Sequence, residues 1–193
     1  MSTEDKYPNW FKVTAQHNFE KHLLPLAGTV NVRYLQLGAY TGDASVWLCE
    51  NVLTAEWNFL YDVDTWKGSD EPAHESINFD EVYEIYRVKT ENYKQIRTFR
   101  QTTFDYLLDG GADQLFNFIY VDADHTTVGV ILDAELSWPL LKSGGIMAFD
   151  DYEWGSNLPL HLRPKPGIDL FLLRHDGEYE LLDKNEQVWI KKK

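Results

Sequence analysis

The chain has 193 residues, enough for one well-filled core, and its 44% hydrophobic and 15% aromatic content excludes a disordered polymer. A net charge of −13, from 31 acidic against 18 basic residues, repels phosphate backbones and argues against a nucleic-acid partner. A single cysteine, Cys49, rules out an internal disulfide; the opening MSTEDKYPNW lacks the basic start and apolar run of a signal peptide, and no stretch reaches the roughly 20 apolar residues of a membrane helix.

These features lead to the expectation of a cytoplasmic protein without a membrane partner, monomeric or homo-oligomeric. One domain is expected over 1–193, with an N-terminal helical segment (1–30), a core (31–152) and a C-terminal loop and hairpin (153–193). The first element is an amphipathic helix over Phe11 to Leu26, with Phe11, Ala15, Phe19, Leu23 and Leu26 on one face. Arg33 to Leu37 reads as a short buried strand entering the turn Gly38-Ala39-Tyr40-Thr41-Gly42, and a helix follows from Asp43 to Leu53. Trp57 to Asp64 is a second strand. Gly68 to Asn78 reads as a surface loop, and Phe79 to Glu91 as a helix with Val82, Ile85, Tyr86 and Val88 inward.

Ile96 to Arg100 supplies a third strand, and Phe104 to Leu108 part of a third helix. Phe116 to Val121 is the clearest strand, followed by a helix from Thr127 to Trp138 that breaks at Pro139. Lys142 to Gly145 is expected to be a tight turn into the strand Ile146 to Phe149. Trp154 to Gly167 reads as a loop, and Tyr179 to Leu182 with Val188 to Ile190 as an antiparallel hairpin. The fold class is therefore α/β: a Rossmann-like doubly wound sheet, mostly parallel with a C-terminal antiparallel hairpin, and helices on both faces.

Three of the parallel strands end in acid: Asp62 and Asp64, then Asp122 and Asp124, then Asp150 and Asp151. Ligands of open α/β sheets bind beyond the carboxyl ends of the strands, so these acids converge on one rim. The glycine turn can bring backbone amides close to a ligand at a helix N-terminus, although the same turn would also serve tight strand–helix packing. An acid after the second strand, Asp64 or Asp62, suits ribose hydroxyls. Asp122, Asp150 and Asp151 at one edge, with Asp124 nearby, repel one another unless a cation sits among them. Hard oxygen donors suit Mg²⁺, or alternatively Ca²⁺ or Mn²⁺. His125, directly after the acidic strand end, is a candidate general base, and equally a turn residue. Trp66, Trp154 and Tyr152 border the rim, either to stack on an acceptor ring or simply to pack.

With those residues in view, YLQLGAYTGDAS resembles the first motif of class I S-adenosylmethionine-dependent methyltransferases, especially catechol and caffeoyl-CoA O-methyltransferases. FIYVDADHTT and LLKSGGIMAFDDY resemble the second half of the same group, and YDVDTWKGS its sugar O-methyltransferase branch, methyltransferase family 24. The resemblance implies that Gly38, Ala39, Tyr40 and Gly42, with Gln36, cradle the methionine part of S-adenosylmethionine, with Ser45 near its carboxylate. Asp64 or Asp62, followed by Thr65 and Trp66, would hold the ribose. Gln101 and Thr102 would lie near the adenine, and Asp122 would serve both cofactor and metal. Asp122, Asp150 and Asp151 match the metal-ligand positions, and Asp124 or His125 the base. The implied activity is divalent-metal-assisted O-methylation of a small hydroxylated acceptor, sugar-like or catechol-like. Gln36 stands where the motif has an acid, which keeps open a catalytically inactive binding module on the same fold. The glycine spacing disfavours a nicotinamide-dependent oxidoreductase.

Overall fold

The computed structural model describes residues 6–68, 77–110 and 114–193; the anticipated loop Gly68–Asn78 lies mostly outside them. Seven strands form: β1 Arg33–Leu37, β2 Phe59–Asp64, β3 Ile96–Arg100, β4 Phe116–Val121, β5 Leu141–Phe149, β6 Tyr179–Lys184 and β7 Val188–Lys192. They make one sheet in the order β3-β2-β1-β4-β5-β7-β6, parallel through β5 and antiparallel at β7 and β6. Order reverses between β1 and β4, which leaves a crevice at the carboxyl ends of those strands.

Period-two side-chain alternation divides the strands between two cores. Leu35, Leu37, Ile119, Val121, Met147, Phe149, Val188 and Ile190 face one core. Tyr34, Phe118, Tyr120, Ala148 and Trp189 face the other. The second core is covered by helices α1 Gln16–Leu23 and α2 Asp43–Asn51. Its centre is Phe19, whose ring meets those of Phe118, Tyr120 and Trp189 edge-on at 5.7, 4.9 and 5.3 Å. Burying such a ring contributes about 1.5–3 kcal/mol, and edge-on pairing adds to it. Helix α3 Phe79–Thr90 lies on the same side, where Tyr86 packs on Trp66 and reaches Asp62. Helices α4 Thr127–Ser137 and α5 Pro164–Arg174 cover the first core.

Four local expectations are corrected. The first helix opens with π-helical geometry over Phe11–Ala15 and closes as a 3₁₀ turn at Leu24–Leu26, where Pro25 cannot continue the ladder. Val88 is 65% exposed because the buried positions of α3 are Val82, Tyr86 and Thr90, one per turn, and 88 falls opposite them. Lys142–Gly145 is a register shift within β5, which already pairs at Leu141, rather than a turn preceding the strand. Finally, α5 occupies part of the expected loop. Its signal was present in PKPGIDLFLLR: a proline at the first position, then Ile168, Phe171 and Leu172 at helical spacing, all buried. Gly167 lets α5 approach the Thr127 carbonyl, which a Cβ there would meet at 2.5 Å.

One buried acid in this layer makes stability pH-dependent. Asp133, on the inner face of α4, is 3% exposed. Burial pushes its carboxyl up to about 7, with the Thr103 hydroxyl drawing it back and Asp124 raising it further. The unfolded chain releases that proton near about pH 4, so this stabilising contribution is complete at low pH and is lost as pH climbs from there to about 7. Asp133→Asn removes the titration, so its melting temperature should fall less than that of the parent between about pH 5 and about pH 8. The free-energy gap should widen by on the order of 2–4 kcal/mol. Parallel melting curves for the two proteins across that range would exclude this role.

Candidate active site at the carboxyl rim

The rim is assembled by hydrogen bonds that run one residue past each strand. Gly38 N–H donates to Val63 O at 2.8 Å, Asp122 N–H to Leu37 O at 2.9 Å, and Asp150 N–H to Val121 O at 3.1 Å. Each residue after a strand is thereby held level with its neighbour. Gly38 has φ +88°, and a Cβ on it would lie 2.0 Å from the Asp122 carbonyl oxygen. Only glycine allows both the turn and the close approach of β1 to β4. At the end of the turn, Gly42 (φ +81°) precedes α2 and abuts the Tyr86 ring.

Asp64 grips this loop. Its Oδ2 accepts from Ala39 N–H at 2.8 Å and Tyr40 N–H at 3.0 Å, and its Oδ1 from Trp66 N–H at 2.7 Å. Trp66 completes the grip by donating Nε1–H to Tyr40 O at 2.8 Å. Trp66 is 1% exposed and packs on Tyr83 and Tyr86, so it supports the loop from inside and offers no ring face at the surface. Tyr152, at 4%, is likewise packed away, whereas Trp154 is half-buried with its ring 5.2 Å from that of His125. Thr65, between the two gripping residues, is half-buried, and its hydroxyl accepts from Lys67 N–H.

Depth separates the two acids of β2. They share a face, but Asp62 lies two residues, about 7 Å, further back along the strand. It is fully buried and accepts from the Tyr86 hydroxyl at 2.9 Å. Burial pushes its carboxyl up to about 7, with hydrogen bonds from Ser45 and Tyr86 drawing it down and Asp64 raising it. Asp62 therefore stands behind the loop, and Asp64 is the acid at the rim. Gln36 is buried beside it in register and donates Nε2–H to Gly38 O at 2.9 Å, which an ionised glutamate could not do. Its Oε1 is buried with no hydrogen-bond partner among the described residues. A buried acceptor left open beside the loop fits a loop that takes a polar ligand. Gln101 and Thr102 follow β3; Thr102 caps the short helix Thr103–Asp105 through Asp105 N–H, and Gln101 is half-buried.

Asp122, His125 and Asp151 each offer an atom within 4.8 Å of the others. His125 Nε2 lies 3.1 Å from Asp151 Oδ2 and 3.7 Å from Asp122 Oδ1. Asp150, next to Asp151, has both its oxygens hydrogen-bonded. Oδ2 accepts from the Tyr120 hydroxyl at 2.7 Å and Oδ1 from Gln187 Nε2 at 2.8 Å. Burial and the neighbouring Asp150 charge raise the Asp122 carboxyl well above the usual range, and a hydrogen bond from His125 draws it back. Asp151 takes φ +56°, a left-handed conformation that aspartate tolerates better than most residues. Asp124 is exposed and accepts from Thr126 N–H at 2.8 Å, closing a turn ahead of α4. Two carboxylates and an imidazole converging at this spacing fit a small divalent cation. Gln187 and Tyr120 were not foreseen, since the acid they bond, Asp150, lies 37 and 30 residues away in sequence.

A glycine loop after β1, an acid gripping it from β2 and acids after β4 and β5, on this strand order, define the class I methyltransferase fold. Residues 35–152 match the family described as a methyltransferase domain, methyltransferase family 24, and the chain belongs to that family. Among curated proteins, "Probable caffeoyl-CoA O-methyltransferase 3" of Dictyostelium discoideum is 39% identical over 67 residues, 34% of this chain. The match spans only 26% of that relative. The O-methyltransferase TomG of Streptomyces achromogenes, solved with S-adenosylmethionine (SAM), superposes with a TM-score of 0.68 at 15% identity, covering 98% of this chain and 85% of that one. The mycinamycin-pathway methyltransferase MycE, solved with Mg, S-adenosylhomocysteine (SAH) and mycinamycin VI, gives 0.62 at 14% identity, covering 98% and 52%. Both likenesses are of fold.

Proposed function

We propose that this protein transfers a methyl group from S-adenosylmethionine to a hydroxyl of a small neutral acceptor, assisted by a divalent cation at the rim. The carrying observation is the juxtaposition of the gripped glycine loop with the Asp122–His125–Asp151 cluster, joined at Gly38 and Asp122. S-adenosylmethionine supplies the electrophilic methyl group. Its methionine end would be held by Gly38–Gly42, Gln36 and Ser45, its ribose by Asp64, and its adenine beside Gln101 and Thr102. A Mg²⁺ or Mn²⁺ ion supplies positive charge that favours the deprotonated form of an acceptor hydroxyl. Asp122 and Asp151 would hold it, with Asp150 and His125 as flanking groups.

The chain's own residues then orient the acceptor and manage a proton. His125 Nε2 stands at the acids and its ring is backed by Trp154, which supports His125 over Asp124 as the group that receives that proton. Asp124 keeps the turn that presents His125. The negative rim favours a neutral or cationic acceptor such as a vicinal diol of a sugar or catechol. Among the described residues no helix is long and apolar enough to cross a membrane.

Calorimetric titration with S-adenosylhomocysteine, in Mg²⁺ or Mn²⁺ and again in EDTA, should give micromolar binding in both conditions. Methyl transfer to a panel of sugar diols and catechols should then stop in EDTA and return with added cation. Failure to bind S-adenosylhomocysteine under either condition would remove the methyltransferase reading; transfer that survives EDTA would remove the cation.

A further inference from the structure

Gln187 stands just ahead of β7, 37 residues from Asp150 in sequence, yet it is fully buried against the rim. Its Nε2 donates to Asp150 Oδ1 at 2.8 Å and to the Tyr120 hydroxyl at 3.2 Å. Tyr120 in turn donates its hydroxyl proton to Asp150 Oδ2 at 2.7 Å, so both oxygens of the acid are held. On its other side, Gln187 Oε1 accepts from Trp189 Nε1 and from Asn18 Nδ2, each at 2.9 Å. An indole N–H can only donate, which forces the amide oxygen toward Trp189 and the amide N–H₂ toward Asp150. The orientation of Gln187 is thus dictated from the protein interior.

A buried glutamine with both amide atoms bonded is a rigid, fully satisfied support, and it ties helix α1, through Asn18, and the C-terminal hairpin to one carboxylate. We propose that Gln187, together with Tyr120, is a positioning residue of the cation site: the pair locks Asp150 in one rotamer beside Asp122 and so sets how tightly the rim holds a divalent ion. This rests on the reading of the rim as a cation site. Groups that orient a metal's immediate surroundings typically change its affinity by about 10–100-fold when removed. The donors that hold Asp150 lie in β4 and in the turn just ahead of β7, not in the glycine loop, so cofactor affinity is independent of them.

The test uses Mn²⁺ as probe, with free ion followed by electron paramagnetic resonance and no acceptor present. Gln187→Met keeps the length and removes the donor. Tyr120→Phe keeps the ring and removes the other donor, while leaving the bonds from Trp189 and Asn18 in place should the first variant not fold. Each folded variant should bind Mn²⁺ roughly tenfold or more weakly, with S-adenosylhomocysteine affinity in EDTA unchanged. Unchanged Mn²⁺ affinity in the folded variants, or equal losses for Mn²⁺ and S-adenosylhomocysteine, would overturn the assignment, the latter by marking general loosening. A parent protein that binds S-adenosylhomocysteine but no Mn²⁺ would instead overturn the cation reading, and this inference with it.

Discussion

Gly38→Ala should be the most damaging Gly→Ala change among the described glycines, lowering thermal stability sharply and abolishing binding of S-adenosylhomocysteine. Two costs coincide at that position. A non-glycine residue at φ +88° pays about 1–2 kcal/mol for the left-handed backbone alone. The new Cβ would also sit 2.0 Å from the Asp122 carbonyl oxygen and 2.6 Å from its carbon, both backbone atoms with no rotamer to escape through. Relief requires β1 and β4 to part at their carboxyl ends, where Asp122 N–H is bonded to Leu37 O. That movement displaces Asp122 from the acid cluster as well. Differential scanning calorimetry and titration on the same sample check the result: a soluble Gly38→Ala protein with the parent's melting temperature and affinity would show that the close approach is not needed. Gly28, which has φ +75° but nothing within 4 Å of an added Cβ, would carry the backbone cost without the collision.

Asp64→Ala should separate cofactor affinity from folding. The carboxylate accepts three backbone N–H groups, from Ala39, Tyr40 and Trp66, and among the described residues no other side chain bonds those amides. Hydrogen bonds to an ionised partner are worth about 1.5–3 kcal/mol each, but the freed amides at the rim recover part of that from water. A net loss of about 3 kcal/mol in loop order corresponds to roughly a 100-fold weaker complex with S-adenosylhomocysteine. Stability should fall less, because Trp66 and Tyr86 remain packed behind the loop. Titration of Asp64→Ala beside the parent reads this directly. Parent-like affinity would remove Asp64 both as the loop's anchor and as the ribose partner.

The residues of the rim differ in how far they were legible beforehand. Gly38 and Asp64 belong to contiguous signals, a turn after a strand and an acid at a strand's end, where local spacing alone implies the position. Asp62 could not be told from Asp64 by alternation, since both point to the same face; depth beneath α2 and α3 is a property of the packed layers. Trp66 reads in sequence as a rim aromatic, yet its ring turns inward because its backbone takes φ +47° and its indole finds the Tyr40 carbonyl. The acid cluster was visible as a set of strand-terminal aspartates, but not its partition. His125 meets Asp122 and Asp151 while Tyr120 and Gln187 bond Asp150, contacts that only the packed strands bring about.

By itself the amino-acid order determined the strand–glycine–helix opening, the alternation that makes a doubly wound sheet, the convergence of aspartates on its carboxyl rim, and the terminal hairpin. Those are consequences of short-range periodicity, turn chemistry and the rule that parallel strands end together. Tertiary structure alone decided which carboxylate is buried, which tryptophan faces inward and that a glutamine 37 positions beyond Asp150 holds that acid in place. Burial and the choice among competing hydrogen-bond donors depend on residues brought together from opposite ends of the chain, as Asn18 and Gln187 are, and no local pattern records that meeting.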